Sequence, residues 1–264
     1  MSFDAFAEFR MHGHSVIITG GAQNIGAGIA RTLSGAGAKV MIADLNGEMA
    51  AQTAAEIAKE TGNQCRGIAC DVTDQAAIDA AVAATVEAFG GISTLINNVG
   101  WGGRQKDPAA IPEDEFLRSY RLNTISAYRM SMACLPHLEK AANASITNSG
   151  SFSSATPAYD ILPYATAKAA LNQMMVSLAH MLNKRVRVNS VLIGTVITEG
   201  YGSAGITPEM QERMMHPDNL IGHPGRPQDI ANAMLWLCSP AAGWVSGQTI
   251  NVHGGGNVVR LFGE

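Results

Sequence analysis

The chain has 264 residues, of which 47% are hydrophobic and 15% charged, and it carries a formal net charge of −4. This composition excludes a disordered chain and predicts one large domain with an extensive core. Lysine and arginine form no cluster, so no nucleic-acid partner is expected. No run of 18 apolar residues occurs, and the N-terminal segment lacks the basic start of a secretion signal. We therefore expect a cytoplasmic protein that does not insert into membranes.

The four cysteines, Cys65, Cys70, Cys134 and Cys238, form no C-x-x-C pair and have no histidine at ligand-like spacing. Each lies in an apolar stretch. We therefore expect buried free thiols, as suits a reducing compartment, and no metal site.

Short β-branched runs alternate with helix-like segments along the chain, which is typical of repeated β-α-β units. Predicted strands lie at residues 15–20, 39–44, 67–71, 92–98, 144–149, 186–192 and 248–252. The first predicted helix ends at Ser34, and the others lie at 47–60, 75–89, 113–138, 164–182 and around 229–237. The apolar runs are mostly continuous, as in parallel strands buried on both faces. These features predict an α/β fold over residues 1–264: a single-domain, doubly wound (Rossmann) parallel sheet of about seven strands flanked by helices.

Residues 194–226 interrupt this alternation with a connection longer than such connections usually are. Met210, Met214 and Met215, together with Ile206 and Leu220, occur there. They indicate either a short amphipathic flap over an apolar site or ordinary core packing.

A glycine-rich turn, TGGAQNIG at residues 19–26, ends the first strand and opens the first helix. Backbone N–H groups and the helix N-terminus can approach a pyrophosphate there. Gly20 would make the turn, and Gly26 would allow the helix to lie close to the strand or the dinucleotide. The alternative is an ordinary connection between a strand and a helix.

Two aspartates end the second and third predicted strands. Asp44 can accept hydrogen bonds from the ribose hydroxyls of an adenosine and would repel a 2′-phosphate, so NAD is favoured over NADP, with a plain loop aspartate as the alternative. Asp71, with Val72, is placed to reach the adenine. Alternatively Asp71 caps the next helix, a role that Thr73 or Asp74 could equally fill.

Tyr164 and Lys168 lie four residues apart in a segment with helical composition, so their side chains should share one face. A nearby ammonium favours the ionised form of a phenol, whose pKa is ordinarily about 10. Together with Ser151, the pair predicts a hydride-transfer site in which the tyrosine exchanges a proton. Taken alone, this spacing would also fit a solvated helix face.

These motifs occur in the order typical of the short-chain dehydrogenase/reductase family, which the chain resembles over residues 15–256. The resemblance depends on the turn at 19–26, NNVG at 97–100, Asn123, Ser151, Tyr164-x-x-x-Lys168 and the G-x-x-x-T run at 194–198. Within that family, the closing third is similar to bacterial 7α-hydroxysteroid dehydrogenases, through residues 206–214, 227–248 and 252–256.

The resemblance implies that Tyr164 is the general acid/base, that Lys168 lowers its pKa and holds the nicotinamide ribose, and that Ser151 hydrogen-bonds the substrate oxygen. Asn123 would hold a water that links Lys168 to solvent. Further positions match cofactor contacts of the family: Asn24, Ile25, Leu45, Val72, Asn98, Gly100, Val196 and Thr198. The positions implied on the substrate side, besides Ser151 and Tyr164, are Trp101, Gly102 and Thr156.

Four positions depart from the family pattern. Asn24 replaces the middle glycine of the turn, and asparagine tolerates left-handed backbone better than most residues. Ile193 stands where a proline normally precedes Gly194. His253 replaces an aspartate and is expected to be a structural or subunit-contact residue. Trp101 stands where the steroid enzymes have glycine, so it should reshape the substrate pocket.

The resemblance implies an NAD-dependent interconversion of a secondary alcohol and a ketone on a small apolar, alicyclic molecule such as a steroid, bile acid or cyclic terpenoid. Tyr159 and Leu162 favour such a substrate. The alternatives are a 3-oxoacyl-carrier-protein reductase, which would usually require NADPH and a basic surface, and a noncatalytic dinucleotide-sensing protein. A homotetramer is expected, with Trp244 and residues 258–262 at an interface.

Overall fold

The computed structural model of the chain describes residues 4–103, 105, 107–198 and 219–256. Seven strands lie within these ranges: β1 Ser15–Thr19, β2 Lys39–Asp44, β3 Cys65–Ala69, β4 Thr94–Asn97, β5 Ser145–Ser151, β6 Arg187–Ile193 and β7 Thr249–Val252. They form one sheet in the order β3-β2-β1-β4-β5-β6-β7. Every neighbouring pair is parallel. The predicted doubly wound sheet of about seven strands is confirmed.

Helices cover both faces of this sheet: α1 Asn24–Gly35, α2 Gly47–Thr61, α3 Gln75–Phe89, α4 Glu113–Tyr120, α5 Ser126–Leu138, α6 Leu162–Met181 and α7 Pro227–Cys238. In β1, Val16 and Ile18 pack in the core that also contains residues of α1, α2 and α7. Ile17 packs in the opposite core, with residues of α3, α5 and α6. Successive strand side chains point to opposite faces, so a continuous apolar run is what burial on both faces requires.

The strand order reverses between β1 and β4, whose pairing runs from Val16 opposite Thr94 to Ile18 opposite Ile96. In open parallel sheets, the carboxyl ends of the strands on either side of such a reversal diverge and leave a crevice for ligands. Connections that follow β1, β2, β4 and β5 therefore meet at one edge.

The predicted helix at 113–138 has the expected bounds but contains a wide turn that the sequence does not predict. A π-helical turn, Arg121–Ile125, separates α4 from α5. Within this turn, the side chain of Asn123 donates to the backbone carbonyl of Ser119, four residues earlier, at 2.9 Å. Such wide turns inside helices are often found at functional sites, and this one carries a predicted catalytic residue.

The third strand also differs from the prediction, because it begins at Cys65 rather than at Gly67. Cys65 and Arg66 pair with Val40 and Met41 of β2. The pairing partner, which the local composition does not reveal, decides where this strand begins.

Parts of the predicted flap and tail lie outside the described residues: Ile206, Met210, Met214, Met215 and the segment 258–262. The two ends of the flap segment are described. Val196 forms an isolated parallel bridge with Gly225. A side chain at Gly255 would meet Leu220 at 2.6 Å, so the second end packs on the turn that follows β7.

All four cysteines are free thiols, as predicted, although Cys65 is only partly buried. Burial raises the pKa of Cys70 and of Cys238 to about 11, so both remain protonated near neutral pH. Among the described residues, no group of three or more His, Cys, Asp or Glu side chains could hold a metal ion. None of the helices in those ranges is long and apolar enough to cross a membrane.

Candidate functional site

A cleft of about 720 Å³ opens at the carboxyl ends of the central strands. The structure brings together around it all the positions predicted to contact the cofactor: Gly20, Asn24, Ile25, Gly26, Asp44, Leu45, Asp71, Val72, Asn98, Gly100, Tyr164, Lys168, Val196 and Thr198. Ser151 and Trp101 line the same cleft. Residues from the ends of six strands and from helix α6 thus form one continuous surface.

The glycine-rich turn lies at the floor of this cleft and is tightly closed. Gly20 and Asn24 have positive φ angles of 64° and 54°, so asparagine does occupy the left-handed position that the family fills with glycine. A Cβ on Gly26 would lie 2.0 Å from the Gly20 carbonyl oxygen. The N-cap residue of α1, Gln23, makes no side-chain capping bond. The first amides of α1 therefore remain available to an anion such as a pyrophosphate.

Asp44 lies at the far side of the turn, held by backbone amides. Its two carboxylate oxygens accept from Ala22 N at 3.1 Å and from Asn46 N at 3.0 Å. An ionised carboxylate accepts up to about four hydrogen bonds, so two further acceptor directions remain for ribose hydroxyls. Leu45 beside it is 76% exposed, as a residue that covers an adenosine would be.

Asp71 does not cap helix α3. The capping bond comes from Asp74, which accepts from Ala76 N at 3.1 Å. Asp71 instead accepts from the amide and the hydroxyl of Thr73, at 2.8 and 2.7 Å, while it lines the cleft with Val72. The capping role considered for Asp71 is therefore wrong, and its role at the adenine stays a prediction.

Tyr164 and Ser151 meet at the other end of the cleft. The Ser151 side chain lowers the pKa of Tyr164, but desolvation has the larger effect and raises it. The Ser151 hydroxyl lies 2.8 Å from that of Ser153. The phenol is therefore neutral in the protein alone.

Lys168 is 2% exposed, and its ammonium group bonds backbone rather than the phenol. Nζ donates to Ser149 O at 2.9 Å and to Val99 O at 3.5 Å, and it lies 5.8 Å from the centre of the Tyr164 ring. Burial lowers the pKa of Lys168 to about 8. Burial raises the Tyr164 pKa in the protein alone, and the implied lowering of that pKa by Lys168 stays a prediction.

Asn123 lies behind the cleft rather than in its lining, and it is 1% exposed. Its side chain donates to Trp101 O at 3.0 Å and accepts from Trp101 N at 3.1 Å. A Cβ on Gly100 would lie 2.6 Å from Lys168 Nζ and 3.0 Å from Asn123 Oδ1. Asn123 therefore fixes the backbone next to Lys168, and the role with a bridging water stays a prediction.

Trp101 stands at the mouth of the cleft, 54% exposed, with the Arg118 guanidinium 5.3 Å above its ring. Behind it lies a cavity of about 60 Å³ that Gly102 and Tyr164 also line. A side chain at Gly102 would meet Tyr164 Cβ at 2.3 Å, so only glycine fits. Thr156 lines neither cavity, and its hydroxyl donates to Phe152 O at 3.0 Å.

Two contributions to the site were missed by sequence reasoning. The carbonyl of Ser149 binds Lys168, and no side-chain pattern signals a backbone acceptor. His253, expected to be structural, lies with its ring centre 4.3 Å from that of Phe152. It also packs on Gly194, where a side chain would meet His253 Cβ at 2.5 Å. The histidine thereby joins the start of the flap to the residue after Ser151.

Comparison with known proteins identifies relatives over nearly the whole chain. A family model described as enoyl-(acyl carrier protein) reductase matches residues 20–257. The chain is 37% identical to 7α-hydroxysteroid dehydrogenase of Escherichia coli, over 94% of this chain and 95% of that protein. It is also 37% identical to 4-formylbenzenesulfonate dehydrogenase of Comamonas testosteroni, over 92% and 97%.

A solved structure of 7α-hydroxysteroid dehydrogenase, complexed with NADH and 7-oxo glycochenodeoxycholic acid, superposes on this one with a TM-score of 0.89. The two chains share 35% identity, and the match covers 97% of this chain and 98% of the other. The likeness predicted from the closing third of the sequence is confirmed.

Proposed function

Because the chain belongs to the short-chain dehydrogenase/reductase family and is an oxidoreductase related to hydroxysteroid dehydrogenases, we propose that it interconverts a secondary alcohol and a ketone on an apolar alicyclic substrate, with NAD as cofactor. The observation that carries the proposal is that Ser151 and Tyr164 line one end of a single cleft. The other end of that cleft has the features that a dinucleotide requires.

The residues of the cleft fit NAD in three respects. The uncapped amides of α1 suit the pyrophosphate, and the absence of a side chain at Gly26 lets the start of α1 lie close against the turn. Asp44 presents acceptors where ribose hydroxyls would lie and would repel a 2′-phosphate. Lys168, at the inner end, is close enough to Tyr164 to serve the nicotinamide ribose and the phenol together. When bound, NAD supplies the acceptor or donor of the hydride.

Ser151 and Tyr164 would bind the substrate oxygen and exchange a proton with it. A substrate oxygen placed between their hydroxyls accepts one hydrogen bond and exchanges one proton. In ketone reduction, neutral Tyr164 donates its proton to the oxygen, and burial already favours that form. In alcohol oxidation, Tyr164 must first lose its proton, and positive charge beside it favours the tyrosinate. Lys168 provides that charge below its pKa of about 8.

The test is reduction of NAD and of NADP, followed at 340 nm, against steroid, bile-acid, monocyclic terpenoid and simple alicyclic alcohols. We expect turnover with NAD on at least one alicyclic alcohol, and its loss by more than about a thousandfold in Tyr164→Phe. NAD affinity, measured by calorimetry, should change little in that variant. NAD binding without any turnover would favour the noncatalytic sensor, and a strong preference for small charged hydroxy acids would contradict the apolar substrate.

The preference for NAD over NADP is tested with Asp44→Ser, because the Asp44 carboxylate is the group that would repel a 2′-phosphate. We expect the ratio of kcat/KM with NAD to that with NADP to fall at least about tenfold, or about 1.4 kcal/mol. An unchanged ratio would remove the basis for preferring NAD. A carrier-protein reductase, the enzymatic alternative, is disfavoured by Asp44 and by the net charge of −4.

A second substrate class is supported by Arg118 above Trp101 at the mouth of the cleft. A guanidinium next to an exposed indole can receive an aromatic ring that bears an anionic group. One relative is named for such a molecule, 4-formylbenzenesulfonate. The panel therefore includes an aromatic sulfonate carbinol, and a better kcat/KM for it than for every alicyclic alcohol would replace the first class with this one.

We also propose that the protein is a homotetramer in the cytoplasm. Trp244 is fully exposed in the single chain, and β7 lies at the edge of the described sheet. Exposed strand edges and indoles are features that proteins usually cover. Light scattering after size exclusion should give about four times the 27.7 kDa chain mass, and Trp244→Glu should reduce it.

A further inference from the structure

The face of α6 that carries Tyr164 and Lys168 continues one turn further, to Asn172. The three residues follow one another at four-residue intervals, so they share one side of the helix. Tyr164 and Lys168 line the cleft, whereas Asn172 lies beneath it, against the end of β5. Asn172 has no part in the proposed proton transfer, yet its amide is directed at the same strand end.

Asn172 reaches the backbone of Ser151 through one intermediate hydroxyl. Asn172 Nδ2 lies 2.8 Å from Ser154 Oγ, and Ser154 Oγ donates to the carbonyl of Ser151 at 2.6 Å. A serine hydroxyl has a single hydrogen, which is used on that carbonyl, so it must accept from Asn172. The amide orientation is thereby determined.

This orientation leaves Asn172 Oδ1 buried without a partner among the described residues. It faces Gly150, where a Cβ would lie 2.9 Å from it. A buried amide oxygen without a donor is unfavourable. An apolar side chain of the same size would avoid that cost, so the amide has to be explained by what its nitrogen does.

Building on the proposed function, we propose that Asn172 is a positioning residue, which holds Ser154 and thereby keeps the Ser151 side chain beside Tyr164 in the cleft. The residues from 152 to 154 form a short 3-10 turn directly after Ser151. Without the hydrogen bond from α6 this turn can rotate, and the Ser151 hydroxyl, which is 2.8 Å from that of Ser153 in the same turn, moves with it.

Loss of the hydrogen bond from α6 should therefore be visible in the ionisation of Tyr164. The Ser151 side chain opposes the effect of burial on the Tyr164 pKa, so its displacement raises that pKa further. The charged groups that face Tyr164 are Lys168 on its own helix and, across the small cavity, Glu115 and Arg118 of α4. The last two pair with each other at 2.7 Å. A change at residue 172 alters none of these groups.

The variants are Asn172→Leu, which keeps the number of side-chain heavy atoms and removes the donor, and Ser154→Ala, which removes the intermediate. We expect kcat for alcohol oxidation to fall about tenfold in each, with the KM for NAD within about twofold of wild type. The alkaline midpoint of the kcat profile should move up by about one pH unit. The double variant should be no worse than either single one, since both break the same chain of bonds.

Gln173→Leu is the matched control, because it makes the same amide-to-leucine change one residue along, on the exposed side of α6. It should behave as wild type. If Asn172→Leu fails to fold, Ser154→Ala carries the test by itself. Wild-type kcat and wild-type pH dependence in a folded Ser154→Ala or Asn172→Leu protein would overturn the proposal.

A second readout separates this inference from the proposed function, because it needs no substrate. The ionisation of Tyr164 is followed near 295 nm as the difference between each protein and its Tyr164→Phe counterpart. We expect a higher midpoint in Asn172→Leu than in wild type. If no alcohol is turned over, the proposed function fails. The role of Asn172 is refuted by a different result, namely the same midpoint of Tyr164 ionisation in Asn172→Leu and in wild type.

Discussion

Gly26→Ala tests whether the glycine-rich turn leaves room for a side chain between α1 and the Gly20 carbonyl. The added methyl group would lie 2.0 Å from the Gly20 carbonyl oxygen and 2.8 Å from Asn98 Nδ2. Both neighbours are held in place: Asn98 Nδ2 donates to that same carbonyl at 2.9 Å, and Asn98 N donates to Thr19 Oγ1 at 3.0 Å. The obstruction is backbone, which a change of rotamer cannot move.

The cost can be estimated from this geometry. Ordinary contacts begin near 3.4 Å, so the Gly20 carbonyl and α1 must separate by about 1.4 Å. Inserting a methyl group into a packed site typically costs about 1–3 kcal/mol, and a backbone obstruction belongs at the upper end. For a chain of this size, about 3 kcal/mol lowers the Tm by about 6–12 °C.

The assay combines thermal unfolding with NAD titration by calorimetry. We expect the lower Tm and also at least about a tenfold weaker NAD affinity, since the displaced turn is the one that receives the pyrophosphate. Gly35→Ala is the control in the same helix, because nothing lies within 4 Å of its added Cβ. That change should be neutral or stabilise the protein by up to about 1 kcal/mol. A Gly26→Ala protein with wild-type Tm and NAD affinity would refute the reasoning.

Two further predictions concern stability. Lys168 has its pKa lowered by burial to about 8, below the ordinary 10.5, so the unfolded chain binds more protons than the folded one between these values and stability rises with pH there. Lys168→Met removes this dependence. In urea titrations, the free energy of unfolding of the variant minus that of wild type should decrease by about 2 kcal/mol from pH 7 to pH 10, because only wild type gains stability over this range. A constant difference would argue against a desolvated ammonium. Replacement of Asn24, whose φ is 54°, by alanine should lower the free energy of unfolding by about 1 kcal/mol in the same titrations, whereas replacement by glycine should not lower it. Equal effects of the two replacements would show that the left-handed backbone is not what matters.

The sheet could be predicted because burial on both faces leaves a local signature. A strand such as Val16 to Ile18 must be apolar at every position when helices cover both sides, and that run is visible without knowledge of its neighbours. The glycine turn and the Tyr-x-x-x-Lys pair were visible for a similar reason. Positive φ, close backbone approach and a shared helix face each depend on short sequence separations.

The π-helical turn within the predicted 113–138 helix could not be seen in this way. The π-helical turn at Arg121–Ile125 accompanies bonds from Asn123 to Trp101, which lies in a distant loop. The helix propensities of residues 121–125 do not depend on such a contact, so they do not predict the turn. The start of β3 at Cys65 is likewise decided by pairing with β2.

The sequence by itself indicated most of the groups that meet at the cleft, because strand ends of a parallel sheet come together whatever the details of packing. Asn123 and Thr156, also predicted there, lie outside its lining. Only the tertiary structure decided how the groups that line the cleft are charged and oriented. Burial raises the Tyr164 pKa and lowers that of Lys168, and the Ser149 carbonyl, not the phenol, receives the ammonium. Desolvation and backbone acceptors depend on everything that surrounds a residue, and this is settled when the chain has packed.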